Sequence, residues 1–180
     1  MNNKIFSARE VALIGVMAAT LECGKLALYA LPNIEVVTIL CALYGYVFGW
    51  YGAVATIIFT LMEMLIHGFG GWVISYLIYW PMVTGVFVIL GKKRISGRII
   101  PTLWALGLTV FFGVLTTLID TVFMLGINES FIKNAMLMYV RGMPFYINQI
   151  ACNGVIFSVS FPYLVRKIDE IKRASRFSSL

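Results

Sequence analysis

IPTLWALGLTVFFGVLTTLIDTVFML, residues Ile100 to Leu125, holds one ionisable side chain, Asp120. The run exceeds the ~20 apolar residues that a helix needs to cross the hydrocarbon of a bilayer. This stretch reads as a membrane span, and the rest of the chain is organised around it. Five more apolar stretches flank it: Val11–Leu31, Val36–Trp50, Tyr51–Ile66, Trp72–Leu90 and Pro144–Val165. Between them stand helix stops and turn residues: Pro32, the Gly49–Gly52 region, Gly68 with Gly70 and Gly71, the Lys92–Arg98 cluster and Gly126–Gly142. The expected fold is therefore an all-α integral membrane bundle of six transmembrane helices forming one domain over residues 1–180. The second and third stretches are short and nearly continuous, so a single broken or re-entrant element is the alternative there. No internal repeat is visible.

Composition agrees. Of 180 residues, 61% are hydrophobic and 12% charged, with a mean hydropathy of +0.91, well away from soluble domains. Six spans leave little chain for a soluble domain. The net charge of +6 is concentrated at the N-terminus, one central loop and the C-terminal tail, which argues against nucleic-acid binding. Lys4 and Arg9 precede the first stretch, Lys92, Lys93, Arg94 and Arg98 follow the fourth, and Arg166, Lys167, Lys172, Arg173 and Arg176 follow the sixth. Basic residues are retained on the cytoplasmic side, so these three groups share a side only if the span count is even. The opposite loops, Pro32–Glu35, His67–Gly71 and Ile127–Gly142, carry only Lys133 and Arg141 as strong bases. The expectation is a multi-pass cell-membrane protein with both termini cytoplasmic. The run Val11–Leu31 is too long for a signal peptide and carries Glu22 and Lys25, so it reads as a retained first helix. Cys23, Cys41 and Cys152 lie in apolar runs without CxxC spacing and read as packing residues.

Between the fifth and sixth spans, ESFIKNAMLMYVR (Glu129–Arg141) puts Phe131, Ala135 and Met138 near one helical face. A short amphipathic helix is expected there, as a surface connector or as a lid.

Ionisable groups within spans usually face a bundle interior or an aqueous cavity. Glu22 and Lys25 lie three residues apart on the first helix and read as an intrahelical pair or as ligand contacts. Glu63 and His67 lie four apart on the third, Asp120 on the fifth, and Asn148, Gln149 and Asn153 on the sixth. All fall on the non-cytoplasmic side of the midplane, leaving the inner halves apolar. A pocket open outward and closed inward fits this asymmetry better than a channel, whose polar lining runs through the full depth. Trp72, Tyr76, Tyr79 and Trp80 form a helical stripe, readable as an interfacial aromatic belt or as a stacking wall for a planar ligand. One histidine with scattered carboxylates gives no metal-ligand set. On the cytoplasmic half of the first helix, Ala8/Ala12 and Gly15/Ala19 give small-xxx-small spacing, which permits close helix approach. Gly45 and Gly49 do likewise on the second, where bundle packing is the plainer reading.

The layout, the alanine-rich ALIGVMAAT (Ala12–Thr20), LPNIEVVTILCALYGYVFG (Leu31–Gly49), GFGGWVISYLIYWP (Gly68–Pro81) and GMPFYINQIACN (Gly142–Asn153) resemble the S components of energy-coupling factor (ECF) transporters. The likeness extends over nearly the whole chain and is nearest to the cobalamin-type subgroup. It implies a non-enzymatic transporter subunit that captures a vitamin from outside, cobalamin first, with pyridoxine, pantothenate and thiamine-precursor-like ligands open. Partners would be a transmembrane coupling subunit and two ATP-hydrolysing subunits. The resemblance assigns the coupling contact to Ala12, Gly15 and Ala19, with glycine where the usual motif has alanine. It assigns the vitamin site to outer loops and helix ends, here Lys25, Asn33, Glu35, Glu63, His67, Trp72, Tyr76, Trp80, Asp120, Arg141, Tyr146, Asn148, Gln149 and Asn153. No catalytic residue or cofactor is implied.

The residues themselves agree on chemistry: no GxxxxGK[ST], HExxH or GxSxG motif occurs. Two other classes stay open. One is a stand-alone secondary transporter. The other is a small intramembrane enzyme using Glu63, His67 and Asp120 as acid/base groups, which requires those side chains to converge.

Overall fold

The computed structural model describes residues 6–31 and 34–177, with side chains to residue 170. Lys4 and Asn33 lie outside the described residues, as do the side chains of Lys172, Arg173 and Arg176. Six α-helices follow one another: α1 Ala8–Ala27, α2 Val37–Phe48, α3 Trp50–His67, α4 Gly71–Lys92, α5 Ile99–Leu125 and α6 Phe131–Phe177. Among the described residues, α3, α4 and α5 are long and apolar enough to cross a membrane, which indicates membrane association.

Local chemistry sets the boundaries. Ser7 and Glu10 form a capping box at the start of α1: the Glu10 N–H donates to Ser7 Oγ at 3.3 Å and the Ser7 N–H to Glu10 Oε2 at 2.7 Å. α1 ends at Ala27 rather than Leu31, and its tail unwinds into turns in which Leu28 and Tyr29 donate to Lys25 and Leu26. The Val36–Ile66 region is two helices, separated at Gly49, whose φ of 61° reverses the chain at a conformation that favours glycine. The first of these, α2, has 12 residues and reaches about 18 Å, short of the ~30 Å hydrocarbon thickness.

The separate amphipathic helix expected between the last two spans does not exist as such. Residues from Phe131 onward continue through Gly142 and Pro144 into one 47-residue helix, α6. Proline removes one N–H from the ladder, whereas ending a helix exposes several backbone groups. Continuing the helix leaves fewer backbone groups to be satisfied than stopping it would.

α2 packs chiefly on α4, α5 on α6, and α1 and α4 on α3. The α2–α4 crossing is close because residue 45 is glycine: a Cβ there would come within 2.3 Å of the Thr84 carbonyl oxygen. Thus Gly45 and Gly49, one motif in the sequence, do separate work in packing and in turning. Two ends of the bundle result. At the end where α2 meets α3 and α4 approaches α5, Phe87, Phe157 and Phe161 are fully buried and mutually packed, with Phe157–Phe161 ring centroids at 5.7 Å and Phe87–Phe161 at 5.1 Å. The threonines within the helices satisfy their hydroxyls locally, as where Thr84 Oγ1 donates to the Trp80 carbonyl at 3.0 Å and Thr109 Oγ1 to Ala105 at 2.8 Å. The opposite end, formed by the α1–α2 and α3–α4 connections, is more open.

Candidate ligand-binding site

Two adjoining cavities open at that second end. The first, about 290 Å³, is lined by residues of all six helices and the α1–α2 connection, among them Lys25, Tyr29, Glu35, Tyr76, Trp80 and Gln149, with Phe59 and Phe112 below. The second, about 160 Å³, is lined by Lys25, Tyr29, Glu63, His67, Trp72 and Tyr76. Lys25, Tyr29 and Tyr76 belong to both.

The stripe on α4 builds the aromatic wall. Trp72 and Tyr76 meet edge-to-face at 5.3 Å, and Tyr76 and Trp80 at 5.5 Å. Tyr79, on the same helix, turns away into the core, where it packs on Phe112 at 4.4 Å and its hydroxyl lies 3.5 Å from Thr38 Oγ1. The stripe therefore divides: 72, 76 and 80 face space and 79 fills the interior. The Lys25 ammonium lies 6.0 Å from the Trp72 ring and 5.7 Å from the Tyr76 ring, within reach of a cation–π attraction.

Lys25 does not form an ion pair with Glu22. It reaches across to the fully buried Glu63 of α3. Both carboxylates are buried, and the one lysine contacts Glu63, which has no exposure at all, while keeping a Coulombic attraction to Glu22. His67 Nε2 stands 3.9 Å from Glu63 Oε1. Glu22, 7% exposed, accepts no hydrogen bond, yet its carboxylate lies with Glu63 and His67 so that one ligand atom from each falls within 4.8 Å of the others. The carboxylates that look scattered in the sequence thus meet the histidine, because α1 and α3 pack together and carry them at the same height.

Glu35 lies at the mouth of the first cavity and caps α2, accepting from the Thr38 N–H at 2.8 Å and from the Thr38 hydroxyl. Gln149, 4% exposed, lines the same cavity, and its Oε1 has no hydrogen-bond partner; nor does Trp80 Nε1. Asn153 is fully buried one turn further along α6 and donates to Thr109 Oγ1 at 2.9 Å.

The other expected site residues sit elsewhere. Asn148 is exposed, because one residue along a helix rotates a side chain by about 100° and Gln149 takes the inward position. Arg141 is exposed on α6. Tyr146 ties α6 to α5, its hydroxyl 2.9 Å from Thr117 Oγ1 and its ring 5.4 Å from Tyr139. Asp120 lies against Gly71 in the first turn of α4, where the positive end of a helix favours a carboxylate. It is not among the clustered acidic groups, so the trio Glu63, His67 and Asp120 does not assemble. Phe59, Phe112 and Tyr29 line cavities without having been singled out in the sequence; apolar positions in a long apolar run carry no mark of which way they face.

On α1, Ala12, Gly15 and Ala19 are exposed while Ile14, Met17, Ala18 and Leu21 are buried. The small residues form the helix's outer ridge.

No protein-family model matches this chain, and neither a curated protein nor a solved structure does.

Proposed function

We propose that this protein is the substrate-capturing subunit of an ATP-driven importer of the ECF type, spanning the cell membrane six times with both termini cytoplasmic. The observation that carries this reading is the polar, aromatic-lined double cavity at one end of a bundle whose other end is closed by packed phenylalanines. Arg9, the Lys92–Arg98 turn and Arg166 all belong to the closed end, and Arg98 and Arg166 line a common groove there. By the positive-inside tendency that end is cytoplasmic and the cavity faces outward. The exposed ridge of Ala12, Gly15 and Ala19 supports a helix-docking surface for a coupling subunit. ATP hydrolysis belongs to partner subunits.

The cavity volumes favour a vitamin of one or two rings; a corrin with its side chains is several times larger. Mass spectrometry of small molecules retained after gentle purification, followed by calorimetry with the compound found, tests the reading. Absence of any saturable small-molecule binding would remove it. A second reading, a proton-coupled carrier acting alone, draws on the Glu22, Glu63 and His67 cluster. Uptake into vesicles containing this chain alone, driven by a pH gradient, would select that reading.

A further inference from the structure

Around the second cavity, among the described residues, Lys25 is the one permanently charged base facing two buried carboxylates, with the His67 imidazole beside them. Glu22 and Glu63 are both more than nine-tenths buried, and one ammonium, Lys25, serves the two of them. Lys25 is engaged with Glu63, and among the described residues no second lysine or arginine lines either cavity. Glu22 keeps both carboxylate oxygens buried without a hydrogen-bond donor. An isolated buried carboxylate costs several kcal/mol, and natural proteins keep such groups within the membrane chiefly where they serve a pathway or a ligand.

Three further features describe what would compensate it. The aromatic wall already holds one cation, at 5.7 Å from the Tyr76 ring, and ring faces attract a second by the same quadrupole. Gln149 Oε1 offers a buried, unpartnered acceptor on the wall of the larger cavity. The two cavities share Lys25, Tyr29 and Tyr76, so a flat molecule in the larger one can extend an end toward Glu63, with Glu22, which lines neither cavity, within 4.8 Å of that carboxylate. Among the fully buried side-chain atoms of the described lining, Glu63 and Gln149 offer acceptors and Trp80 Nε1 a donor without a hydrogen-bond partner.

We infer that the site selects a small flat ring bearing a positively charged or strongly N–H-donating group, its ring against Tyr76 and Trp80 and its cationic end toward Glu63 and the Glu22 charge beside it. This rests on the reading of the chain as a ligand-capturing protein and narrows it. An anionic vitamin would bring a third negative charge beside two carboxylates that share one ammonium. A divalent metal ion held by Glu22, Glu63 and His67 would set two positive charges beside the Lys25 ammonium.

The full chain in detergent is titrated calorimetrically with two cationic ring probes, thiamine and pyridoxamine, two anionic probes, pantothenate and biotin, and Co²⁺ alone. At least one cationic probe should bind at least tenfold more tightly than either anionic one. Glu22→Gln should weaken that binding by about tenfold, the scale of one neighbouring charge removed from a partly buried site, and Gln149→Leu should weaken it severalfold. Should Glu22→Gln fail to fold, the comparison of probes on the unaltered chain and the Gln149→Leu variant still decide. Anionic probes binding as well as cationic ones, or a folded Glu22→Gln with undiminished binding, would overturn the inference while leaving ligand capture standing. Stoichiometric Co²⁺ binding lost in Glu22→Gln would assign the charge to a metal instead and overturn it too. No binding by any probe would count against the capture reading and take the inference with it.

Discussion

The two ends of this bundle are made from the same six helices and differ in what they bury. At the closed end the interior is Phe87, Phe157 and Phe161, ring against ring, with the nearby Gly45 letting α2 lie directly on the α4 backbone. At the open end the interior is Glu63, paired with Lys25, together with Glu22, Gln149 and Trp80, whose buried polar atoms have no hydrogen-bond partner. Close packing gains dispersion energy and leaves no room. Unsatisfied buried polar groups cost free energy, so a fold that keeps them at one end has a use for them there. On the proposed reading, stability belongs to one end and recognition to the other, and substitutions at the two ends test whether that division holds.

The largest expected effect is at the ion pair that joins the two roles. Lys25→Ala strands Glu63, fully buried, and should cost about 3–5 kcal/mol of stability, read as a large drop in melting temperature in detergent. Lys25→Met with Glu63→Gln should recover most of that loss, because it removes both charges. If the double variant melts no higher than the single one, the deficit at Glu63 is not what holds Lys25.

At the closed end, Phe157→Ala opens a cavity in the ring cluster and should cost about 3 kcal/mol while leaving ligand affinity within about twofold once the protein is folded. A smaller loss, about 1–3 kcal/mol of overpacking strain, is expected for Gly45→Ala, whose new methyl meets the Thr84 carbonyl. By contrast, Tyr76→Ala, which removes a ring packed on Trp72, Trp80 and Phe112 at the cavity edge, should cost less stability than Phe157→Ala and reduce ligand affinity by about tenfold, the worth of one aromatic contact. An exchange of these outcomes, with Phe157→Ala abolishing binding or Tyr76→Ala unfolding the chain, would dissolve the comparison between the ends.

Much of this was legible in the sequence because the membrane imposes simple rules. Long apolar runs bounded by glycine, proline and basic clusters gave the helices of α3, α4 and α5 nearly to the residue. The polar residues at one depth pointed to one end of the bundle. What the sequence does not carry is rotation and partnership. Nothing in ALIGVMAATLECGKLA says that Lys25 will leave Glu22 for Glu63, since that depends on how closely α1 approaches α3. Pro144 looked like a boundary because proline ends helices in water, where exposed backbone groups find solvent; α6 runs through it. Phe112 is one apolar residue among many until α4 and α6 close around it.

The smallest expected effect is also the most specific. Asn148 and Gln149 are adjacent, both amides, and indistinguishable by depth. The structure separates them by one helical step, leaving Asn148 exposed and Gln149 4% exposed against the cavity. Asn148→Ala should therefore change neither melting, within about 0.5 kcal/mol, nor ligand affinity, whereas Gln149→Leu should lower affinity severalfold by removing the acceptor. Calorimetry on the two variants side by side reads the rotation of α6 directly. If Asn148 proved the sensitive one, α6 would be turned by about a hundred degrees, Gln149 and Asn153 would leave the interior with it, and the polar end of the bundle would have to be rebuilt around different side chains.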